Sequence, residues 1–254
     1  MDKNKVTTVI QITDTHLFKS DTHEMFGVNT NKNFYSVMDY LHEQKEITPD
    51  LFLLTGDLSQ DESEESYIKI VEKMNEFGKK IYWVPGNHDN IEVMKKIFST
   101  SPLFLPVKNI NLNTWGFILL NTKMNGSDKG FLSENELRYL EESLNNFNDQ
   151  KSIGVIMHHH PVTVNTPLID QYILTNSSHF WNIVNRHSNV KLIMCGHVHG
   201  DYSIKHNNIV VECSPSTCLQ WEKGTIELKI VKSIGFKVYR FVNNTYAQFV
   251  KLWS

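Results

Sequence analysis

Five short polar motifs in the sequence carry the residue types that bind metals and transfer protons. They are Asp14-Thr-His16, Gly56-Asp57, Gly86-Asn-His-Asp89, His158-His-His160 and Gly196-His-Val-His199. Imidazole nitrogens with carboxylate and amide oxygens, and without thiolate, suit Mn, Fe or Zn rather than calcium or a structural zinc. A chance occurrence of all five motifs in one chain is a poor explanation. The ordered set therefore predicts a metal site.

The spacing inside the motifs indicates how each residue could act. Two residues of an extended chain point to the same side, so Asp14 and His16 can chelate one ion. Asp57 follows a glycine that permits close backbone approach, and its two carboxylate oxygens can bridge two cations. His197 and His199 are again two residues apart, so one can face each metal.

The two remaining motifs offer a neutral ligand, a proton donor and a choice of imidazoles. Asn87 supplies a neutral oxygen, and His88 can donate a proton to a leaving group. Three successive imidazoles cannot all face one ion, so one or two of the triplet 158–160 are expected to bind. The residues alone do not decide which.

Each motif comes at the downstream end of a predicted strand. Short apolar runs predict these strands at 6–13, 51–55, 81–84, 153–157 and 190–195. Helical spacing of apolar residues lies between them, for instance at Phe34, Val37, Met38 and Leu41. Because ligands collect at the carboxyl ends of strands in open α/β sheets, we predict an α/β fold with the motifs at one sheet edge.

The rest of the chain continues the same alternation. A strand pair is expected over 107–122, and Ser133 with Glu136 predicts a capping box that opens a helix. After Tyr202 we expect short strands with turns at 207–208, 233–235 and 243–244. No linker or repeat interrupts the pattern, so residues 1–254 are predicted to form a single domain.

Composition restricts the partners. The 254 residues are 40% hydrophobic and 21% charged, with a net charge of −3 and no Lys/Arg run longer than two, so a nucleic-acid track is not expected. No apolar run reaches membrane-spanning length, and the N-terminus has no apolar core of the signal-peptide type. Three cysteines without CxxC spacing suggest reduced thiols, and a cytoplasmic protein is expected.

At this point the sequence resembles the calcineurin-like metallophosphoesterases, whose five blocks match the motifs in order. The resemblance spans about residues 10–200. Within that superfamily it resembles the bacterial 3′,5′-cyclic-AMP phosphodiesterases, and this extends the match to about Gln220. The segments that carry the narrower resemblance are 11–18, 27–30, 55–61, 158–161 and 214–220.

The resemblance implies a four-layer αββα metallophosphoesterase sandwich, with two mixed sheets flanked by helices, and a binuclear centre of Fe, Mn or Zn. It implies one metal held by Asp14, His16, Asp57 and His199, and a second held by Asp57, Asn87, His158 and His197. His159 is the alternative to His158. Catalytic roles fall to His88, Asn87 and Asp57, and substrate contacts to His16, Asp57, Asn87, His88 and His199.

Two further residues, Asp89 and Asn121, bear on the family pattern. Asp89 is expected to support the site by holding a turn or orienting an imidazole. Asn121 stands where the family has an aspartate after a strand.

The expected activity is hydrolysis of 3′,5′-cyclic AMP to 5′-AMP by a bridging hydroxide shared between the two metals. The alternatives are another phosphodiester or pyrophosphate hydrolase of the superfamily, acting on a nucleotide, glycerophosphodiester or lipid-linked substrate, or a non-catalytic binding scaffold. The expected partner is a small cyclic nucleotide or other phosphodiester, with no nucleic acid and no membrane. The protein is expected to be a monomer or a homodimer.

Overall fold

The computed structural model of the protein describes residues 5–254. Residues 1–4, which belong to the N-terminal segment considered above, lie outside the described part. The helices are α1 Thr30–Glu43, α2 Glu64–Asn75, α3 Ile91–Phe98, α4 Glu134–Asn146, α5 Pro167–Asp170 and α6 Ser177–Val184. The strands are β1 Thr7–Ile12, β2 Leu51–Leu54, β3 Lys80–Trp83, β4 Phe104–Leu105, β5 Asn109–Asn111, β6 Trp115–Leu119, β7 Ser152–Met157, β8 Val190–Cys195, β9 Tyr202–His206, β10 Ile209–Cys213, β11 Gln220–Trp221, β12 Ile230–Val231, β13 Ile234–Val242 and β14 Thr245–Trp253.

Within residues 5–254 the strands form two six-stranded mixed sheets and one small hairpin. The first sheet has the order β14-β13-β1-β2-β3-β4, and the second has the order β5-β6-β7-β8-β10-β9. The strands that precede the motifs are parallel neighbours. In the first sheet β1 pairs with β2 and β2 pairs with β3, and in the second sheet β7 pairs with β8. Their carboxyl ends therefore lie at shared edges, as the sequence predicted.

Three hydrophobic clusters separate the layers. Apolar side chains of α1, α2 and α3 pack on the outer face of the first sheet, and those of α4 and α6 pack on the second. The third cluster lies between the sheets and joins Leu53 and Tyr82 of the first to Phe117 and Met194 of the second. This order of helix, sheet, sheet and helix confirms the predicted four-layer fold.

Local sequence accounts for where the helices begin. Side chains of Asn29, Ser63, Asn90 and Ser133 accept a backbone N–H two or three residues into α1, α2, α3 and α4. The predicted capping box at Ser133 is only half formed, because the Glu136 carboxylate accepts from Lys108 and from the backbone of Asn121 instead. It thereby ties α4 to the end of β6.

The C-terminal region differs from the expectation of short strands. β13 and β14 have nine residues each, and β13 inserts antiparallel beside β1. The turns expected at 207–208 and 243–244 are present, but Gly235 lies inside β13 and not in a turn. A Cβ at Gly235 would lie 2.2 Å from the Lys251 carbonyl oxygen, so the glycine serves a close approach between strands.

Lys237 of β13 links this hairpin to the second sheet. Its ammonium is fully buried and donates to the Glu212 carboxylate at 2.9 Å and to the Cys213 carbonyl at 2.9 Å, and it forms an ion pair with the Asp201 carboxylate at 2.6 Å. A buried cation needs such partners. Since Asp201 directly follows the Gly196–Gly200 motif, the C-terminal hairpin supports the loop after β8.

None of the described helices combines the length and apolar character that crossing a bilayer requires.

Candidate active site

The five motifs meet where the ends of the two sheets face each other. The backbone N–H of Asp14 donates to Gly56 at 2.9 Å, and that of Gly196 donates to His158 at 3.1 Å. The His158 imidazole crosses from the second sheet to the first, since its Nδ1 lies 2.7 Å from the Thr55 carbonyl. Residues far apart in sequence therefore form one compact site.

Five of the proposed metal ligands have left-handed backbone conformations. The φ angles of Asp14, His16, Asp57, His197 and His199 are 52°, 45°, 51°, 69° and 42°. Such angles are uncommon outside glycine and concentrate at functional sites. Asp14 and His16 therefore do not project from an extended chain, as their spacing predicted, but reach the site from a tight loop after β1 has ended.

Two glycines allow the loops after β2 and β3 to touch. A Cβ on Gly86 would lie 2.1 Å from Asp57 Oδ1 and 2.3 Å from Asp57 N. One on Gly56 would lie 2.5 Å from Gly86 N and 2.6 Å from His158 Nδ1. No side chain fits at either position without displacing Asp57 or His158.

The first ligand group contains Asp14, His16 and His199, with Asp57 at its border. His199 Nε2 lies 3.1 Å from His16 Nε2 and 3.3 Å from Asp14 Oδ1. Asp57 Oδ2 is 3.7 Å from His16 Nε2. Neighbouring ligands of one ion bound at about 2.1 Å are separated by about 3 Å or slightly more, so these atoms have ligand spacing.

The second ligand group contains His158, Asn87 and His197. His158 Nε2 lies 3.1 Å from Asn87 Oδ1 and 3.3 Å from Asp57 Oδ2. The oxygen Asp57 Oδ2 therefore borders both groups. Ring nitrogens of His197, His158 and His159 lie within 4.8 Å of one another.

The donor set fits bound metal ions. Both ring nitrogens of His197 are buried and have no hydrogen-bond partner among the described residues, an arrangement that costs free energy unless something else contacts them. Among the described residues that line the adjoining cavity there is no Lys or Arg, although Asp57 and Asp128 both lie there. Metal cations would satisfy the imidazole and offset the negative charge.

Three of the imidazoles proposed as ligands are oriented by a contact at Nδ1, which leaves Nε2 directed into the site. A carbonyl oxygen can only accept, so Nδ1 carries the proton in each case. The acceptors are Gln60 Oε1 at 2.6 Å for His16, the Leu219 carbonyl at 3.0 Å for His199 and the Thr55 carbonyl at 2.7 Å for His158.

The other two histidines of the triplet have different environments. His159 Nδ1 lies 2.7 Å from Thr122 Oγ1, and its Nε2 lies 3.2 Å from the Asp128 carbonyl. His160 Nε2 lies 3.3 Å from the Asp170 carboxylate. The Nε2 atom of His159 contacts a backbone carbonyl, whereas Nε2 of His158 contacts the side-chain oxygens of Asn87 and Asp57, so the geometry favours His158 as the ligand.

Two residues near the site were not selected from the sequence. Gln60, three residues after Asp57, orients His16, and Asp128 accepts from the Asn87 amide Nδ2 at 3.4 Å. Asn87 thereby directs its carbonyl oxygen towards His158. The position of Gln60 in the loop after Asp57 could have indicated that it lies near the site. Asp128 lies seven residues beyond Asn121, where the family has its aspartate, and only the fold brings its loop close to Asn87.

Asp89 supports the site by joining two loops. Its carboxylate accepts from the backbone N–H groups of Leu58, Ser59 and Gly86 and from the Tyr67 hydroxyl, at 2.8–3.1 Å. Burial, and next the Asp57 carboxylate, raise the pKa of Asp89 to about 6. It holds a turn, as expected, and orients no imidazole.

Electrostatics in the metal-free site keep Asp57 ionised and His197 neutral. Burial raises the pKa of Asp57, but the imidazoles of His158 and His16 outweigh it and hold the pKa well below its usual range. Burial and the three neighbouring histidines lower the pKa of His197 well below 6.5. An anionic carboxylate and a neutral imidazole are the forms that bind metals.

His88 is placed differently from the ligands. Its side chain is half-buried and lines the cavity, while its backbone N–H donates to Asp57 Oδ1 at 2.8 Å. The ring packs edge-on against His16, with centroids 5.1 Å apart. It therefore faces the space where a substrate would lie.

Comparison with known proteins agrees with this site. The family model described as calcineurin-like phosphoesterase matches residues 7–201. A 3′,5′-cyclic adenosine monophosphate phosphodiesterase of Vibrio vulnificus is 37% identical over 84% of this chain and 77% of that protein. A probable cyclic nucleotide phosphodiesterase of Coxiella burnetii is 32% identical over 91% of each chain.

Solved structures share the fold at low identity. A dimetal phosphatase from Danio rerio aligns with a TM-score of 0.65 and 11% identity over 98% of this chain and 99% of that one. GAP50, the anchor in the inner membrane complex of Plasmodium, aligns with a TM-score of 0.66 and 14% identity over 96% and 84%. The chain belongs to the calcineurin-like phosphoesterase family, whose members are metal-dependent hydrolases with a binuclear metal centre.

Proposed function

We propose that the protein hydrolyses 3′,5′-cyclic AMP to 5′-AMP at a two-metal site. The observation that carries the two-metal part is Asp57 Oδ2, which lies between two ligand groups, 3.3 Å from His158 Nε2 and 3.7 Å from His16 Nε2. The substrate part rests on the relatives, which are named for cyclic nucleotide and cyclic AMP hydrolysis.

Seven residues would hold the ions, with Asp57 shared. The mixture of oxygen and imidazole donors supports Mn, Fe or Zn. Bound at these positions, two such ions supply charge neutralisation and a more acidic water. The residues proposed as ligands are Asp14, His16, Asp57, Asn87, His158, His197 and His199.

The chain itself contributes orientation and proton transfer. A water oxygen attacks phosphorus while the bond to the ribose 3′ oxygen breaks, so the single product is 5′-AMP, which carries a free 3′ hydroxyl. His88 lies on the cavity side of the site and donates the proton that the 3′ oxygen needs. Its backbone N–H also holds Asp57 Oδ1, which keeps the donor and the shared carboxylate in register.

We also propose substrate contacts by His16, Asp57, Asn87, His88 and His199. All five line the same cavity. We further propose that residues 1–254 act as a single domain, as a monomer or homodimer, with a small phosphodiester as partner. Three free buried cysteines are compatible with the proposed cytoplasmic location.

A substrate panel tests the proposal. Metal-depleted protein is reloaded with Mn, Fe or Zn and assayed with cyclic AMP, cyclic GMP, a 2′,3′-cyclic nucleotide, glycerophosphoethanolamine and bis(p-nitrophenyl) phosphate. We expect chelator-sensitive hydrolysis, with cyclic AMP among the best substrates and 5′-AMP as product. A high rank for the glycerophosphodiester with cyclic AMP at the bottom would contradict the substrate. If bound-metal analysis finds no ions and none of the esters is hydrolysed, the protein would instead be a binding scaffold.

A further inference from the structure

We infer that Phe26 and Trp221 form the binding site for the aromatic base of the substrate. This inference rests on the proposed function, because it assumes that the phosphate of the substrate sits at the metal-ligand groups. It goes further by naming the residues that bind the part of the substrate beyond the phosphate.

The cavity over the site has two chemically different parts. One part is polar and includes five of the seven proposed ligands together with Gln60 and Asp128, and the other is an apolar wall. The wall is formed by Met25, Phe26, Leu168, Tyr172, Trp221 and Leu228. The cavity measures about 300 Å³, which lies at the lower end of the range for small-molecule sites. A single nucleotide suits these dimensions better than a polymer.

Trp221 attaches the apolar wall to the metal-ligand groups. Its indole stacks on the imidazole of His199, with centroids 5.1 Å apart and planes 26° apart. Its backbone N–H donates to the His199 carbonyl at 3.1 Å. A ligand whose phosphate lies beside His199 therefore has its next group beside Trp221.

Phe26 is held in an unusual position across from Trp221. Met25 and Val28 exchange two backbone hydrogen bonds of 2.9 and 3.0 Å, so Phe26 and Gly27 form the tip of a tight turn, with φ angles of 53° and 70°. A bulky residue with positive φ is an outlier. Its side chain is nevertheless 50% exposed, so packing within the protein does not explain why a phenylalanine stands there.

The two rings suit an aromatic base. They meet edge to face, with centroids 5.6 Å apart and planes 74° apart. Because half of the Phe26 side chain is exposed, part of its ring surface is open to a ligand. The wall carries no charged side chain among its described residues, and a charged headgroup would gain little there. A nucleobase has apolar faces that stack on aromatic side chains.

The test compares two ligands that differ only in the base. 5′-AMP and ribose 5-phosphate are used as competitive inhibitors of Mn-dependent bis(p-nitrophenyl) phosphate hydrolysis by the full-length protein. In the wild type, 5′-AMP should inhibit more strongly. Phe26→Ala should raise the inhibition constant for 5′-AMP and the KM for cyclic AMP by about fivefold or more, with kcat and the constant for ribose 5-phosphate nearly unchanged.

Two variants accompany this measurement. Trp221→Leu should also bring the inhibition constants for 5′-AMP and ribose 5-phosphate closer together. The metal content of this variant is measured because Trp221 also packs on His199. Phe249→Ala removes a partly exposed ring from β14, outside the cavity lining, and should leave the ratio unchanged.

The inference is overturned if the wild type does not distinguish the two inhibitors, if Phe26→Ala keeps the wild-type ratio, or if it lowers kcat with KM unchanged. These outcomes are independent of the proposed function. A wild type that cleaves the chromogenic diester with Mn but not cyclic AMP would contradict the proposed substrate, and one that cleaves neither would contradict the phosphodiesterase activity itself.

Discussion

Replacing Asp57, the proposed shared carboxylate, should remove both metal ions, whereas replacing Asp14 should remove one. Asp57→Asn keeps the side-chain size but takes the negative charge from the oxygen that borders both ligand groups. Asp14 lies at 3.3 Å from His199 in the first group only. The contrast between Asp57→Asn and Asp14→Asn therefore tests whether Asp57 is shared.

The size of the effect follows from these contacts. Loss of a residue that merely orients a metal ligand reduces affinity or activity by about 10–100-fold. This range is a lower limit for Asp14→Asn, which removes a direct ligand of one ion. If losses at two ions multiply, the corresponding limit for Asp57→Asn is about 10²–10⁴-fold in kcat/KM.

The assay combines metal content and rate. After dialysis against Mn-containing and then metal-free buffer, we expect about two ions per chain in the wild type, about one in Asp14→Asn and almost none in Asp57→Asn. Hydrolysis of bis(p-nitrophenyl) phosphate gives kcat/KM. Asp39→Asn, an exposed position on α1, is the matched control and should behave as wild type. Two retained ions in folded Asp57→Asn, with a rate within tenfold of wild type, would refute the shared-ligand reasoning.

Three further predictions follow. His88→Ala should slow cyclic AMP more than bis(p-nitrophenyl) phosphate, because nitrophenolate leaves without a proton; equal losses measured on both substrates would exclude a proton-donor role. Gly86→Ala should lower the free energy of unfolding by about 1–3 kcal/mol and reduce metal content, because its Cβ would overlap Asp57. Gly126→Ala has open space around its Cβ but a φ of 73°, so it should lose stability while retaining its metal; urea unfolding and metal analysis measure both quantities. Burial lowers the pKa of His158, but the Asp57 carboxylate outweighs burial and raises it to about 9, so metal-free protein carries this proton below pH 9. Metal affinity should therefore rise with pH up to about 9, and calorimetry in two buffers at neutral pH should detect proton release; no release would contradict this assignment.

Much of the fold could be predicted from local sequence. The strands that precede the motifs end within one residue of their predicted limits, and the helical spacing of Phe34, Val37, Met38 and Leu41 falls within α1. Such elements are determined by periodicity and by capping residues such as Asn90, which act over a few positions. The insertion of β13 beside β1 could not be predicted in this way, because pairing between residues more than 200 positions apart leaves no local signal.

The candidate site, too, could be predicted from the sequence only in part. Residue type and order alone pointed to the carboxylate, amide and imidazole groups, since metal chemistry restricts which side chains can serve. Which imidazole of the triplet 158–160 faces the ligand groups depends on partners such as Thr55 and Thr122, which belong to other strands. Asp128 likewise approaches Asn87 only in the folded chain.

The sequence by itself determined that this protein carries a metal-dependent phosphoesterase site, because ligand chemistry is a property of side chains and their order. Only the tertiary structure decided how the proposed ligands come together, through left-handed turns at residues such as Asp57 and His199, since backbone conformation there is imposed by contacts between the two sheets. It also decided what lies next to these residues. The aromatic pair of Phe26 and Trp221 comes from segments almost 200 residues apart, and the folding of both onto one cavity places them together.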